Sequence, residues 1–543
     1  MRAQPDAGPA RWAPLGALLA ASVLLTACGS GSGGSDAGGG SGGGTAKSGG
    51  ILTFAVSSDS GCVDPQQVGS NDTIYSLRQI VDSLTDQDPK TGKITPWLAK
   101  SWDISADATT FTFHLRPGVT FSDGTELTAQ VVKDNFDAVP KLGALAPLAQ
   151  GYLSGVESTT AVDPLTVRVT FRQPNAQFLQ ATSTHSLGIE SAASVRRTPE
   201  RKCAEGVVGS GPFVLKDYVQ NQSITLDRRT GYAWGSPLWR KKGEAYLDKL
   251  VFKVVPEAGV RVGSLQSGQV DAIGGVGRAN EATLKSGPVR LARRANPGTV
   301  FNLGLNNSRP ALKDVRVRQA ILYAIDREEI ADTVFPTGTR PATSVLAHTT
   351  PDYRDLGSGL AFDAAKATSL LDAAGWKAGG DGIRTKNGAR LSLTVKWFAN
   401  SATNQPALEL IQQQLKAVGI EVVLKQLQIA QIVQVQQSGD FDGLWGNLTR
   451  ADPDILRTQY STALANAYRL PASPLESLLT RQAATTDAGR RTELVGEAQQ
   501  LIVRNAYVVP VVELQTQLGV ADKVHNLDFE ASSRIQLHDT WIG

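Results

Sequence analysis

The sequence predicts an exported, mixed α/β protein of more than one domain. Three observations carry this: a leader-like start ahead of a Gly/Ser run, short alternating strand patterns interleaved with helix-period segments, and a length of 543 residues. That length exceeds what one hydrophobic core organises, so two or three domains are expected.

The leader comes first. Arg2 and Arg11 flank a polar start, and Trp12 to Leu25 is then uncharged and rich in Ala, Leu and Val. This run is shorter than the ~20 apolar residues a membrane span requires. A basic beginning, a short apolar core and small residues at its end describe a signal peptide over residues 1–27. Leu25-Thr26-Ala27-Cys28 resembles the bacterial lipobox, which implies cleavage before Cys28 and lipidation of that cysteine. Gly29 to Gly50 then reads as a tether, so that residues 28–50 hold the body to the outer face of a membrane. Gly and Ser lose much backbone freedom on ordering and bury little surface in return. Such a chain has a root-mean-square reach of roughly 25 Å.

Without the leader the chain keeps 52 basic and 50 acidic residues, a net charge of +2. So slight an excess gives no support to nucleic-acid binding. Cys62 and Cys203 remain as an even pair. In an exported protein such a pair is expected to form a disulfide, and neither cysteine has the nearby ligands a metal or redox site would want.

Along the body, Phe111–Arg116 and Leu165–Arg172 alternate apolar with polar residues, as half-buried strands do. Val132, Phe136 and Val139 recur at helical spacing behind Thr128, an N-cap residue. Val317, Ala320, Ile321, Ala324 and Ile325 mark a second helix. Leu408, Ile411, Leu415 and Val418 mark a third, which stops at Gly419 and leads into a strand. Asp363 to Gly375 reads as a capped helix, Asp123-Gly124 as a turn in which Gly supplies a positive φ, and Gly209 to Pro212 as a tight bend.

The phrase LRPGVTFSDGTELTAQVVKDNF (Leu115–Phe136) resembles a signature of extracytoplasmic solute-binding proteins of the peptide/nickel importer family. VGSGPF (208–213), LQSGQVD (265–271), DVRVRQA (314–320), YAIDR (323–327), AKA to AAG (365–375) and QLKAVGI (414–420) are similar to further phrases of that family, in the same order. The resemblance spans about residues 50–540. It implies a two-lobed α/β fold of the periplasmic-binding-protein type, with a ligand cleft between the lobes. Lobe I would comprise residues 51–85, 205–300 and 509–543, with an extra sub-domain inserted at 86–204. Lobe II would cover 301–508, and hinges would lie near Phe301–Pro310 and Tyr507–Pro510. It further implies a monomer with no cofactor that binds a small-molecule or peptide ligand and delivers it to ABC permease subunits. A short peptide or peptide-like solute is the first expectation. A glycoside, an opine-like compound, a metal chelate, or a sensor or chaperone role remain as alternatives.

The stretch FDGLWGNLTRADPD (441–454) is the most informative about cargo. In peptide-binding relatives an Asp three residues before Asp-Pro meets the ligand's ammonium group; here that position is Thr449. A hydroxyl accepts a hydrogen bond but brings no charge, so an ammonium buried there lacks its anion. Arg450 offers a fork to a ligand carboxylate, or pairs internally with Asp452 or Asp454. Trp397, Trp445 and Asn447 are candidate stacking and polar contacts, and Asp452 a loop-turning residue. An enzyme is not expected. His114, His185, His348, His525 and His538 are scattered, and neither H-E-x-x-H, G-x-S-x-G nor a phosphate-binding Gly-rich loop occurs.

Overall fold

The computed structural model describes residues 46–398, 401–428, 431–464 and 466–543. The leader, Cys28 and the tether as far as residue 45 lie outside the described residues.

Three sheets, each with its own hydrophobic core, organise the body. The first has seven strands, in the spatial order Val289–Ala295, Gln515–Ala521, Ala272–Ile273, Ile51–Val56, Lys249–Val254, Ser223–Arg228 and Phe213–Val219. Ile51–Val56 runs parallel to both of its neighbours. Phe54 sits at its buried centre, with the rings of Tyr75 and Phe252 each 5.8 Å away.

The second sheet is antiparallel, in the order Ala99–Ile104, Thr110–Leu115, Thr166–Phe171 and Val156–Asp163. Its alternating strands bury Phe111, Phe113, Val167 and Val169 on one face, where Phe178 meets Phe111 and Phe171 edge-on. The helix Ala129–Leu142 covers this core with Val132, Phe136 and Val139, and its first turn is closed by Thr128, which accepts the Val131 N–H. Gly124 turns the preceding loop at φ +84°.

The third sheet has five strands, in the order Glu421–Leu427, Ser392–Phe398, Gly443–Thr449, Gly298–Leu305 and Val508–Val512. Ser392–Phe398 is parallel to the strands on both sides of it. The helices Val315–Tyr323, Ala364–Ala373, Asn404–Ala417 and Ala488–Arg504 contribute apolar side chains to its core.

Chain crossings between these units are short. The chain leaves the seven-stranded sheet at Ala295 and enters the five-stranded sheet at Gly298; it returns between Val512 and Gln515. The crossings are therefore Asn296-Pro297 and Glu513-Leu514, whereas the expected hinge segments Phe301–Pro310 and Tyr507–Pro510 reach into strands. Pro510 is accommodated because Val508–Val512 is the edge of its sheet, where a missing N–H is tolerated. The two crossings touch: the Asn296 N–H donates to the Leu514 carbonyl at 2.8 Å, and the Asn296 side chain accepts from Thr516.

The four-stranded unit leaves and rejoins the seven-stranded unit through a neck closed by a Cys62–Cys203 disulfide. Beside it the Val63 N–H donates to the Cys203 carbonyl, and buried Lys202 pairs with Asp64 at 2.8 Å and Glu190 at 3.3 Å. Gly209 and Gly211 then pass directly against the backbone of residues 79–81. A Cβ at Gly209 would lie 1.8 Å from the Ile80 carbonyl oxygen, which explains the glycines of the bend.

Candidate ligand cleft between the lobes

In open α/β sheets ligands bind outside the carboxyl ends of parallel strands, where loops diverge and backbone groups are unpaired. In the five-stranded sheet the three parallel strands end at Phe398, Leu427 and Thr449. In the seven-stranded sheet those ends are Val56, Val254 and Ile273. After Val56 the chain turns on Asp72, whose Oδ2 accepts the backbone N–H and the hydroxyl of both Ser57 and Ser58. Residues 399–400 and 429–430, which follow two of the strand ends on the other side, lie outside the described residues.

The sequence-derived candidates fall into three groups. Trp397 and Trp445 are packed into the core of the five-stranded sheet, 5% and 2% exposed. Trp445 stacks on Phe301 at 5.3 Å and donates its indole N–H to Asn404 at 3.0 Å. Asn447 and Thr449 are half-buried at the end of the same strand. Asp452 fixes the following loop: it accepts the Asp454 N–H at 2.8 Å and takes both arms of Arg491 at 2.7 and 3.0 Å.

Arg450 is not tied to either loop aspartate, since Asp454 is held by Arg457 and Gln482. It instead crosses to the four-stranded unit. Its guanidinium lies 4.6 Å from the Tyr152 ring centroid and donates to the Gln177 side chain at 3.3 Å and to Thr458 at 3.0 Å. Two further bonds join the same units: Gln87 to the Ala451 carbonyl at 3.3 Å, and the Ala176 N–H to the Ala483 carbonyl at 2.8 Å. The inserted unit and the five-stranded unit are thus in contact.

Local patterns did not reveal three further residues. The side chain of Arg534, a residue only 6% exposed, makes no hydrogen bond or ion pair among the described residues. Its electrostatic neighbours are Glu530, Tyr152, Tyr75 and Arg78, and burial pushes its pKa below the ordinary guanidinium value. Burial, then the Asp72 charge, raises the Tyr75 phenol above its usual range. Tyr75, Tyr152 and Arg534 are far apart in sequence, so no spacing announces them. Elsewhere, no group of three or more His, Cys, Asp or Glu among the described residues is placed to hold a metal ion. No described helix is long and apolar enough to cross a membrane.

Two α/β lobes that face one another with the carboxyl ends of their parallel strands, joined by paired crossings, define a bilobal solute-binding protein. The chain belongs to the bacterial extracellular solute-binding proteins, family 5, whose family model matches residues 93–466; it is a binding protein of the ABC-importer type. It is 25% identical over 523 residues to heme-binding protein A of Haemophilus influenzae, covering 91% of this chain and 92% of that protein. It is likewise 25% identical over 477 residues to the glutathione-binding protein GsiB of Escherichia coli strain K12, covering 85% and 88%. Its fold is similar to that of NikA from Brucella suis in complex with Fe(III)-EDTA, with a TM-score of 0.79, 24% identity, and coverage of 91% of this chain and 100% of the other.

Proposed function

We propose that this chain is a lipid-anchored receptor at the extracytoplasmic face of the cell membrane that captures a short peptide or peptide-like solute and delivers it to an ABC permease, catalysing no reaction itself. The observation that carries the reading is the pair of short, adjoining crossings that join two sheets at the carboxyl ends of their parallel strands, with Arg450 reaching from one lobe to the inserted unit of the other. In this reading lobe I is residues 51–85, 205–300 and 509–543, the inserted sub-domain is 86–204, and lobe II is 301–508. A guest that touches both lobes favours the closed arrangement by its differential affinity for it, and the permease reads that closed shape.

Asn447, Thr449 and Arg450 offer polar contacts to the guest, Trp397 and Trp445 stiffen the wall from behind, and Asp452 holds the loop. The glutathione-binding relative supports a peptide-like cargo. Thr449 supplies no charge for a free amine, which favours an N-blocked or otherwise peptide-like solute, and keeps glycosides, opine-like compounds and metal chelates as the second reading. Native mass spectrometry of freshly purified protein tests the proposal: a bound mass matching a short peptide is expected. A guest of another class would overturn the peptide reading, and small-angle scattering unchanged by a bound guest would overturn the closure. In the same cells Cys28→Ala should release the protein from membranes; continued retention would defeat the anchor.

A further inference from the structure

A buried cation without a counter-ion is costly, because the low-dielectric interior does not replace its lost hydration. Arg534 is close to that position, because the carboxylate whose charge reaches it, Glu530, is already bonded to Arg78 and Ser532. Of the arginines Arg78, Arg294, Arg450 and Arg534, only Arg78 forms an ion pair among the described residues, while Arg294 and Arg534 share the more distant Glu530 charge. Arg78 is held by Glu530 at 2.8 Å, and the other Glu530 oxygen accepts from Ser532. Arg294 donates to Ser533 and to the Pro89 carbonyl and has the Glu530 charge in reach. Arg450 donates only to the neutral Gln177 and Thr458, and Arg534 to nothing among the described residues. Asp72, whose charge reaches Tyr75, has one oxygen filled by four donors from Ser57 and Ser58. Burial first, then the Arg534 and Arg78 charges, push the His185 imidazole well below its ordinary range. Tyr152, whose ring carries Arg450, has no hydrogen bond on its hydroxyl among the described residues.

We infer that Arg534 and the Tyr152 hydroxyl hold an anionic group of the transported solute, a carboxylate or another oxyanion, with Arg450 closing over Tyr152 from the opposite lobe. The inference deepens the proposed function and rests on it for where the guest lies. The guest enters while the lobes are apart. Its oxyanion accepts from the Arg534 fork and the phenol, and the arrival of Arg450 adds a second positive charge as the cleft shuts. The positive charge around such a guest would come from Arg534 on one side and Arg450 on the other, with the Tyr152 hydroxyl as a neutral donor between them.

The test uses the full mature chain and a random tripeptide library made once as free acids and once as C-terminal amides. Wild type should take up the acids roughly 10- to 100-fold more tightly than the amides, the range expected when a buried charge-assisted contact is lost. Arg534→Gln and Arg534→Met should bind both sets equally weakly, and Arg534→Lys should recover part of the preference. Equal uptake of acids and amides by wild type, or acid binding undiminished in Arg534→Gln, would overturn the inference and leave the peptide reading standing. If wild type takes neither set, the peptide reading falls, and the guest carried from the host decides: an acidic guest absent from Arg534→Met supports the anion site, and a guest with no anionic group overturns it. Urea unfolding of ligand-free protein gives a readout in every case. With its unpaired cation removed, Arg534→Met should unfold at or above the wild-type midpoint; a clearly lower midpoint would assign Arg534 to the scaffold and refute the proposal.

Discussion

Removing the Cys62–Cys203 bridge should loosen the protein chiefly through its unfolded state. The bridge spans 141 residues and closes a loop that contains the whole four-stranded unit. In the chain-entropy model a loop of that length is worth about 5 kcal/mol. Little of the native neck depends on the sulfurs. The Val63–Cys203 backbone bond, the Gln67 side chain on the Pro199 carbonyl, and the buried Lys202–Asp64 pair at 2.8 Å use neither sulfur atom. The reduced protein should therefore keep its fold and ligand binding while losing most of that 5 kcal/mol or so from its urea stability. The assay compares urea titrations, followed by tryptophan fluorescence, of oxidised protein, reduced protein and a Cys62→Ala/Cys203→Ala variant. Mass spectrometry after alkylation in denaturant counts free thiols. Reduced and oxidised protein with coincident midpoints would refute the loop argument, and both thiols alkylating without reductant would refute the bridge itself.

Asp452→Asn leaves the nearly buried Arg491 fork facing a neutral amide and should cost about 3–5 kcal/mol in urea. Arg491→Met in the same chain should restore part of that loss, and two single variants whose effects simply add would show that the pair is not coupled. A pH dependence is expected from Asp82, whose carboxyl is pushed up to about 7 by burial, against the opposing Arg78 charge and the donors Trp234 and Tyr232. The unfolded chain releases this proton near its ordinary value of 3.8, so between about pH 4 and 7 the folded state holds more protons. Stability should therefore fall as pH rises through that window, by up to about 1.4 kcal/mol per unit, and level off above it. Subtracting the Asp82→Asn curve from wild type isolates this slope; a flat difference would show that Asp82 is ionised in the fold throughout.

What the sequence makes legible here is local. Thr128 and Asp363 cap helices through their side chains, and Gly375 and Gly419 follow helices at positive φ. The period of two in Phe111–Arg116 corresponds to the strand Thr110–Leu115. The helix marked by Val317, Ala320 and Ile321 ends sooner than its pattern, at Tyr323; Ala324 and Ile325 stay buried in the connection to the next helix, which Asp326 caps. Aromatic identity alone could not say which way Trp445 faces. On the strand Gly443–Thr449 it shares a side with Asn447 and Thr449, yet the helix Asn404–Ala417 and Phe301 cover the Trp445 end. Arg534 was invisible for a different reason. Its significance lies in partners that are missing, and a missing partner has no sequence pattern.

The adjoining crossings Asn296-Pro297 and Glu513-Leu514 have a mechanical consequence. Two strips of backbone bonded side by side act like the spine of a book, which lets the covers swing and resists their sliding or twisting. In a receptor that closes on its guest, a spine of this kind would confine the movement to a single direction of swing.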